Sequence, residues 1–175
     1  MPPPPPPPKK AFAMRVFLIT TTAMVVMFFG PTVLVSAEDK ELRNDPVIQV
    51  IEVSRSIVSA FGADDPGTYF EYFDPAATFI FHSSPNRLQS RAEYQQEWAL
   101  WRRDMDFHVR SCTSSDQRVQ LIGDIAILTH HVRTEITTTS GQETLHERET
   151  IVFHRRGDEW LAVHEHLSPL PEAPD

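Results

Sequence analysis

From about Asp106 to His166 apolar and polar residues alternate with a period of two, and the pattern breaks only at Gly123-Asp124, Ser140-Gly141 and Gly157-Asp158. A two-residue period places successive side chains on opposite faces of a strand, and the three dipeptides are turn formers. The run therefore predicts four consecutive antiparallel strands, at about 106–121, 125–139, 144–156 and 160–166. A meander this long must bury one face, so something upstream has to cover it.

The upstream sequence supplies helices. Asp45-Pro46 is an N-cap followed by proline in the first helical position. Val47, Val50, Ile51, Ile57, Val58 and Phe61 then recur at spacings of three and four, the apolar stripe of an amphipathic helix ending near Gly62. Asp65-Pro66 opens a short second helix carrying Tyr69, Phe70, Tyr72 and Phe73, stopped by Asp74-Pro75. Ala77 to Phe81 reads as a short strand. Ser90 and Glu93 form a capping box for a third helix with Tyr94, Trp98, Trp101 and Met105 at helical spacing. Helices followed by an antiparallel meander make an α+β chain: a cone-shaped fold with three N-terminal helices packed on a strongly curved sheet, open at one end.

The first 37 residues read differently. Seven prolines, Pro2 to Pro8, favour an extended polyproline helix. Lys9, Lys10 and Arg15 precede an uncharged stretch from Val16 to Ala37 that ends Val35-Ser36-Ala37. Basic start, apolar middle and small-residue exit are the marks of a secretory signal. The expectation is a secreted or periplasmic domain over 38–175, cleaved near Ala37. The alternative is a membrane-anchored domain facing outside, since the uncharged stretch is long enough to span a bilayer. Met14 offers a second start that would give a shorter, conventional signal.

The whole chain has 16 basic and 24 acidic side chains. Residues 1–37 hold three of the basic ones and none of the acidic, so the remainder carries 13 against 24, a formal charge of −11. Such a surface repels phosphate backbones and anionic lipid heads, so neither nucleic acid nor a membrane surface is an expected partner of the domain. One cysteine, Cys112, excludes an internal disulfide and a multi-cysteine zinc site. With no evident activating neighbour it reads as inert.

The segment Glu149-Thr150-Ile151-Val152-Phe153-His154-Arg155-Arg156-Gly157-Asp158-Glu159-Trp160, continued by Leu161-Ala162-Val163-His164-Glu165-His166-Leu167-Ser168, resembles the last two strands of the association domain of calcium/calmodulin-dependent protein kinase II. That domain belongs to the SnoaL-like branch of the nuclear-transport-factor-like superfamily, with the ketosteroid isomerases. Val119 to Ala126 resembles the hairpin before it, so the similarity covers about Val119 to Ser168. The resemblance implies a six-stranded curved sheet, a deep pocket and oligomers built from dimers. It also implies a pocket arginine at Arg133. Ile151 and Leu167 stand where two further arginines would be, so the acidic ligand of the kinase domain is not implied here.

Following that resemblance, the pocket wall would hold His131, Arg133 and Glu135, then Glu149, Ile151 and Phe153, then Val163, Glu165 and Leu167. Arg133 would face Glu149 and Glu165. Burial and like charge would raise one carboxylate toward the range of a general acid or base, with His131 as a further candidate. The structural alternative is an ion pair that only satisfies buried charge. Tyr69, Tyr72, Trp98 and Trp101, with Phe153, are candidates for the apolar lining, and His82 for the rim; the structural alternative for aromatics at helical spacing is plain core. The opposite face would carry Trp160, His164, His166 and Ser168 with Thr150, Val152 and His154. A metal on His164 and His166 would need a third ligand from His154 or His130, and no cofactor is expected. Three functions fit: a self-associating binding module for a small organic molecule, an isomerase, cyclase or hydratase working through Glu149, Glu165 or His131, and a purely oligomeric scaffold.

Overall fold

The computed structural model describes residues 44–170. The expected signal or anchor and the boundary at residue 37 lie outside them. Among the described residues no helix is long and apolar enough to cross a membrane.

In chain order the elements are α1 (Pro46–Gly62), α2 (Pro66–Glu71), β1 (Phe73–Phe81), α3 (Arg91–Met105), β2 (His108–Ile122), β3 (Ile125–Thr138), β4 (Gly141–Arg156) and β5 (Glu159–Pro169). The sheet runs β1-β5-β4-β3-β2. Its last four strands form the antiparallel meander expected, and β1 joins parallel to β5.

Local signals start the helices as the sequence predicts. The Asp45 carboxylate accepts from the Val47 amide at 2.8 Å. Asp65 does the same for Thr68 at 3.1 Å. Ser90 Oγ accepts from the Glu93 amide at 3.1 Å, while the Glu93 carboxylate reaches back to the Gln89 amide at 2.7 Å. α1 ends at Gly62 as expected, but the glycine is not the left-handed residue of the stop. The left-handed residue after α1 is Asp64, at φ 60. A Cβ at Gly62 would lie 2.8 Å from the Cys112 backbone nitrogen, so the glycine lets α1 press onto β2.

Two features differ from expectation. Phe73 begins β1 rather than ending α2, because Phe73 pairs with Ala162 before the register breaks and resumes at Thr78. The sheet has five strands among the described residues instead of six. The additional pairing is a single bridge, Phe79 to Leu88. Pro85 lacks an amide to donate, and Ser90 already caps α3 two residues after Leu88, leaving no length for a further strand. α3 follows β1, the order in which the sequence places the short strand and the third helix.

The core lies between the helices and the inner sheet face. It is rich in aromatic rings: Tyr69 contacts Phe61, Phe70, Phe73, Tyr94 and Trp98, with ring centroids 4.9–6.0 Å apart. Rings at these spacings and tilts add to the gain from area burial.

Candidate functional site

The inner face of the sheet carries three acidic side chains in a row of otherwise apolar positions. Glu147 and Glu149 are alternate residues of β4, and Glu165 comes from β5. Pairing sets Ile151 opposite Glu165 and Glu149 opposite Leu167, so Glu149 and Glu165 are diagonal neighbours on one face. Both are buried, at 6% and 2% exposure. Each carboxyl perturbs the ionisation of the other.

Their surroundings complete a connected chain of polar groups. The Tyr69 hydroxyl donates to Glu165 Oε2 at 2.8 Å. On the other side His130, opposite Glu149 on β3, brings Nε2 to 2.6 Å from Glu149 Oε2. That contact lacks hydrogen-bond alignment. His130 Nδ1 is hydrogen-bonded to Ser114 Oγ at 2.6 Å, and Gln117 Nε2 donates to the same hydroxyl at 2.9 Å.

Burial decides the electrostatics. Removal from water pushes the Glu149 carboxyl up to about 7, although the neighbouring Glu165 acts the other way. Glu165 is raised well above the ordinary carboxylate range by burial, then by the charge of Glu149. Two close carboxyls in a dry site cannot both ionise readily, so the pair holds a shared proton at neutral pH. Burial lowers His130 to about 4, which keeps the imidazole neutral. Burial also raises Tyr69 and Tyr94 well above 10, so both stay donors.

A cavity of about 70 Å³ opens beside this pair. Its walls include Phe61, Tyr69, Tyr94 and Phe107, with Glu147, Glu149 and Glu165 on the sheet side. At the rim His82 Nε2 lies 2.6 Å from Glu147 Oε1. Cys112 also lines the cavity, and burial pushes its thiol up to about 12, so it is no nucleophile at neutral pH.

Of the residues named from the sequence, Glu149, Glu165 and Tyr69 line this cavity, His82 lies against Glu147, and others are placed elsewhere. His131, Arg133 and Glu135 lie on the outer face of β3. Arg133 is exposed and pairs with Glu135 at 2.8 Å, two residues along the same face. The inner face of β3 is instead Ala126, Leu128, His130, Val132, Thr134 and Ile136, all buried. The cause is legible in retrospect, since the even positions hold Leu128, Val132 and Ile136 while the odd ones hold Arg133 and Glu135. His130, which the sequence offers only as a third metal ligand, takes the place expected for Arg133.

On β5 a bulge between the pairs Val152–His164 and Phe153–Ala162 leaves Val163 out of the wall and swaps parity upstream of it. Trp160 therefore points inward, 4% exposed, and its indole donates to Gln49 Oε1 at 3.1 Å. Tyr72, Trp98, Trp101 and Phe153 do not line the cavity. Phe153 and Trp98 are buried core, Trp101 donates to Glu97 at 3.1 Å, and Tyr72 borders a separate surface groove with Trp160. His164 Nδ1 is bonded to Thr78 Oγ1 at 2.8 Å. Among the described residues no group of three or more His, Cys, Asp or Glu is placed to hold a metal ion.

Comparison with known proteins sets this geometry in context. A family model described as a SnoaL-like domain matches residues 50–172. The delta subunit of calcium/calmodulin-dependent protein kinase type II from Oryctolagus cuniculus is 27% identical over 145 residues, which is 80% of this chain and 26% of the subunit. The chain thus spans about a quarter of that relative. Among solved structures, the calcium/calmodulin-dependent protein kinase II hub of S. rosetta superposes with a TM-score of 0.58 at 23% identity, covering 70% of this chain and 95% of the hub. A candidate ketosteroid isomerase from Parabacteroides distasonis superposes with a TM-score of 0.59 at 17% identity, covering 76% of this chain and 94% of its own. At such identities these structures share the fold.

Proposed function

The chain belongs to the SnoaL-like domain family, and from that premise we propose that it is an exported, self-associating domain that holds a small organic molecule in the cavity beside Glu149 and Glu165. The observation that carries this reading is a pair of buried carboxyls left at the edge of an open space. A pair serving only to satisfy buried charge would be closed over by side chains or matched by a cation. Here four aromatic rings and three carboxylates leave room instead. Self-association is supported by the likeness to a structure described as a hub. Export is supported by the basic, apolar and small-residue order of residues 1–37.

One observation favours a second reading, acid–base catalysis at the same site. Burial sets Glu149 near 7, where a carboxyl can both take and give a proton. Tyr69, held as a donor against Glu165, would steady the developing charge.

A thermal-shift screen of small organic molecules tests both readings, run beside Glu149→Gln and Glu165→Gln. Binding that survives in wild type and fades in the variants supports the pocket. Turnover of a bound compound that is lost in Glu149→Gln supports catalysis. A complete screen without any shift overturns both and leaves the scaffold.

A further inference from the structure

We propose that the molecule the cavity accepts is a small organic cation, such as a protonated primary amine of about five heavy atoms. This rests on the pocket-binding reading above and names its ligand class. The cavity walls contain Glu147, Glu149 and Glu165 and neither lysine nor arginine. The arginine that could have served an anion, Arg133, is outside on the other sheet face. An entering carboxylate would therefore meet like charge in a low-dielectric space with no partner, a costly placement. A cation would meet acceptors on one side and the rings of Phe61, Tyr69, Tyr94 and Phe107 on the others, whose faces attract positive charge.

A second, independent feature points the same way. His130 is 2% exposed, stays neutral, and turns an Nε2 without a hydrogen-bond partner toward Glu149. The neutral imidazole brings no positive charge to the pair, and on the cavity side an ammonium group offers three donors. A cavity of about 70 Å³ holds about five water-sized positions, which bounds the ligand.

Charge balance makes the binding proton-linked. The amine enters as R–NH3+; below about pH 7, where the pair carries two protons, the one on Glu149 leaves for solvent, and the ammonium remains against a pair that keeps its single shared proton. The titratable groups facing Glu149 are Tyr69 from α2, Tyr94 from α3, Cys112 from β2, His130 from β3, Glu147 on β4 with His82 against it, and Glu165 from β5. The two tyrosines and the thiol stay protonated, and His130 stays neutral, throughout pH 6–8.

The test is calorimetric titration of the full domain with n-butylamine, n-butanol and propionate, in two buffers of different ionisation enthalpy. The expected result is amine binding that tightens about tenfold from pH 6 to pH 8, with proton release, and propionate silent. Glu149→Gln should remove the pH dependence, and Glu165→Gln should weaken the amine at least tenfold. Propionate binding as well as the amine overturns the proposal, as does amine binding at pH 6 without proton release. If butanol alone binds, and does so through Glu165, the pocket reading stands while the cationic class falls. If no compound of this panel or of the wider screen binds, both fall.

Discussion

At the scale of single residues, the buried carboxyl pair has an energetic signature. Both groups hold protons more tightly in the folded chain than in the unfolded one, where a glutamate titrates near 4.5. Above that value the unfolded chain binds fewer protons, so stability falls as pH rises toward the folded values. For Glu149, raised to about 7, this amounts to on the order of 3 kcal/mol once the window has been crossed. His130 has the opposite sign. Its folded value of about 4 lies below the 6.5 of the unfolded state, so stability falls as pH drops between the two. The contributions oppose each other between about 4.5 and 6.5, and only the carboxyls act above. The thermal midpoint should therefore decline from pH 6.5 to 8. Glu165→Gln, which mimics the protonated form and can still accept from Tyr69, should raise the midpoint at pH 8 and flatten that decline. Midpoints measured at four pH values for both proteins check this; parallel curves would remove the buried pair from the account. Arg133→Ala, by contrast, breaks an exposed ion pair only and should change stability by less than about 0.5 kcal/mol, read by urea unfolding.

Elements are held together by contacts that their own sequences do not advertise. The turn after α1 places Asp64 at φ 60, and its carboxylate then gathers three donors. Arg102 of α3 reaches it at 2.6 Å, His108 of β2 at 2.9 Å, and the Val109 amide at 3.1 Å. Arg102 and His108 also touch each other. One side chain thus ties two helices to the sheet edge. Although partial burial acts the other way, the bonds from His108, Val109 and Arg102 hold the Asp64 carboxyl below its usual range. Asp64→Ala should cost about 2–3 kcal/mol in urea unfolding, because it strands a cation and an amide together. Asp64→Asn keeps the left-handed turn and part of the bonding, and should cost less.

Where α1 crosses β2, Gly62→Ala should destabilise by about 1–3 kcal/mol, since its Cβ would meet backbone and not a movable side chain. A variant that unfolds like wild type would show that α1 can lift without loss.

For the whole molecule, the self-association proposed above is the property that a single chain does not test. Native mass spectrometry of the domain should return a dimer or a multiple of it, and a stable monomer at micromolar concentration would contradict that. Ligand and assembly are separable in the same experiment, because the cavity is built within one chain from α1, α2, α3 and four strands. A Glu165→Gln protein should keep the mass of the wild-type particle while losing the ligand.

What the amino-acid order determined by itself was everything governed by neighbours along the chain. The caps at Asp45, Asp65 and Ser90, the turns that separate the last four strands, and the α+β class all follow from local chemistry. So does the presence of Glu149 and Glu165 among apolar strand positions. Period-two alternation says that residues share a face, though not which face is inside. On β3 the apolar even positions hold that answer, and they run against the parity that the likeness to another domain implies. On β5 the answer changes midway, because one extra residue at the bulge reverses parity, and strand pairing alone decides where a bulge falls. The tertiary structure therefore decided that His130 and not Arg133 meets the carboxyls, that Trp160 is core, and that a sixth strand shrinks to the bridge at Leu88. Each depends on which distant backbone comes within hydrogen-bonding reach, a long-range choice that a pattern read along one segment does not contain.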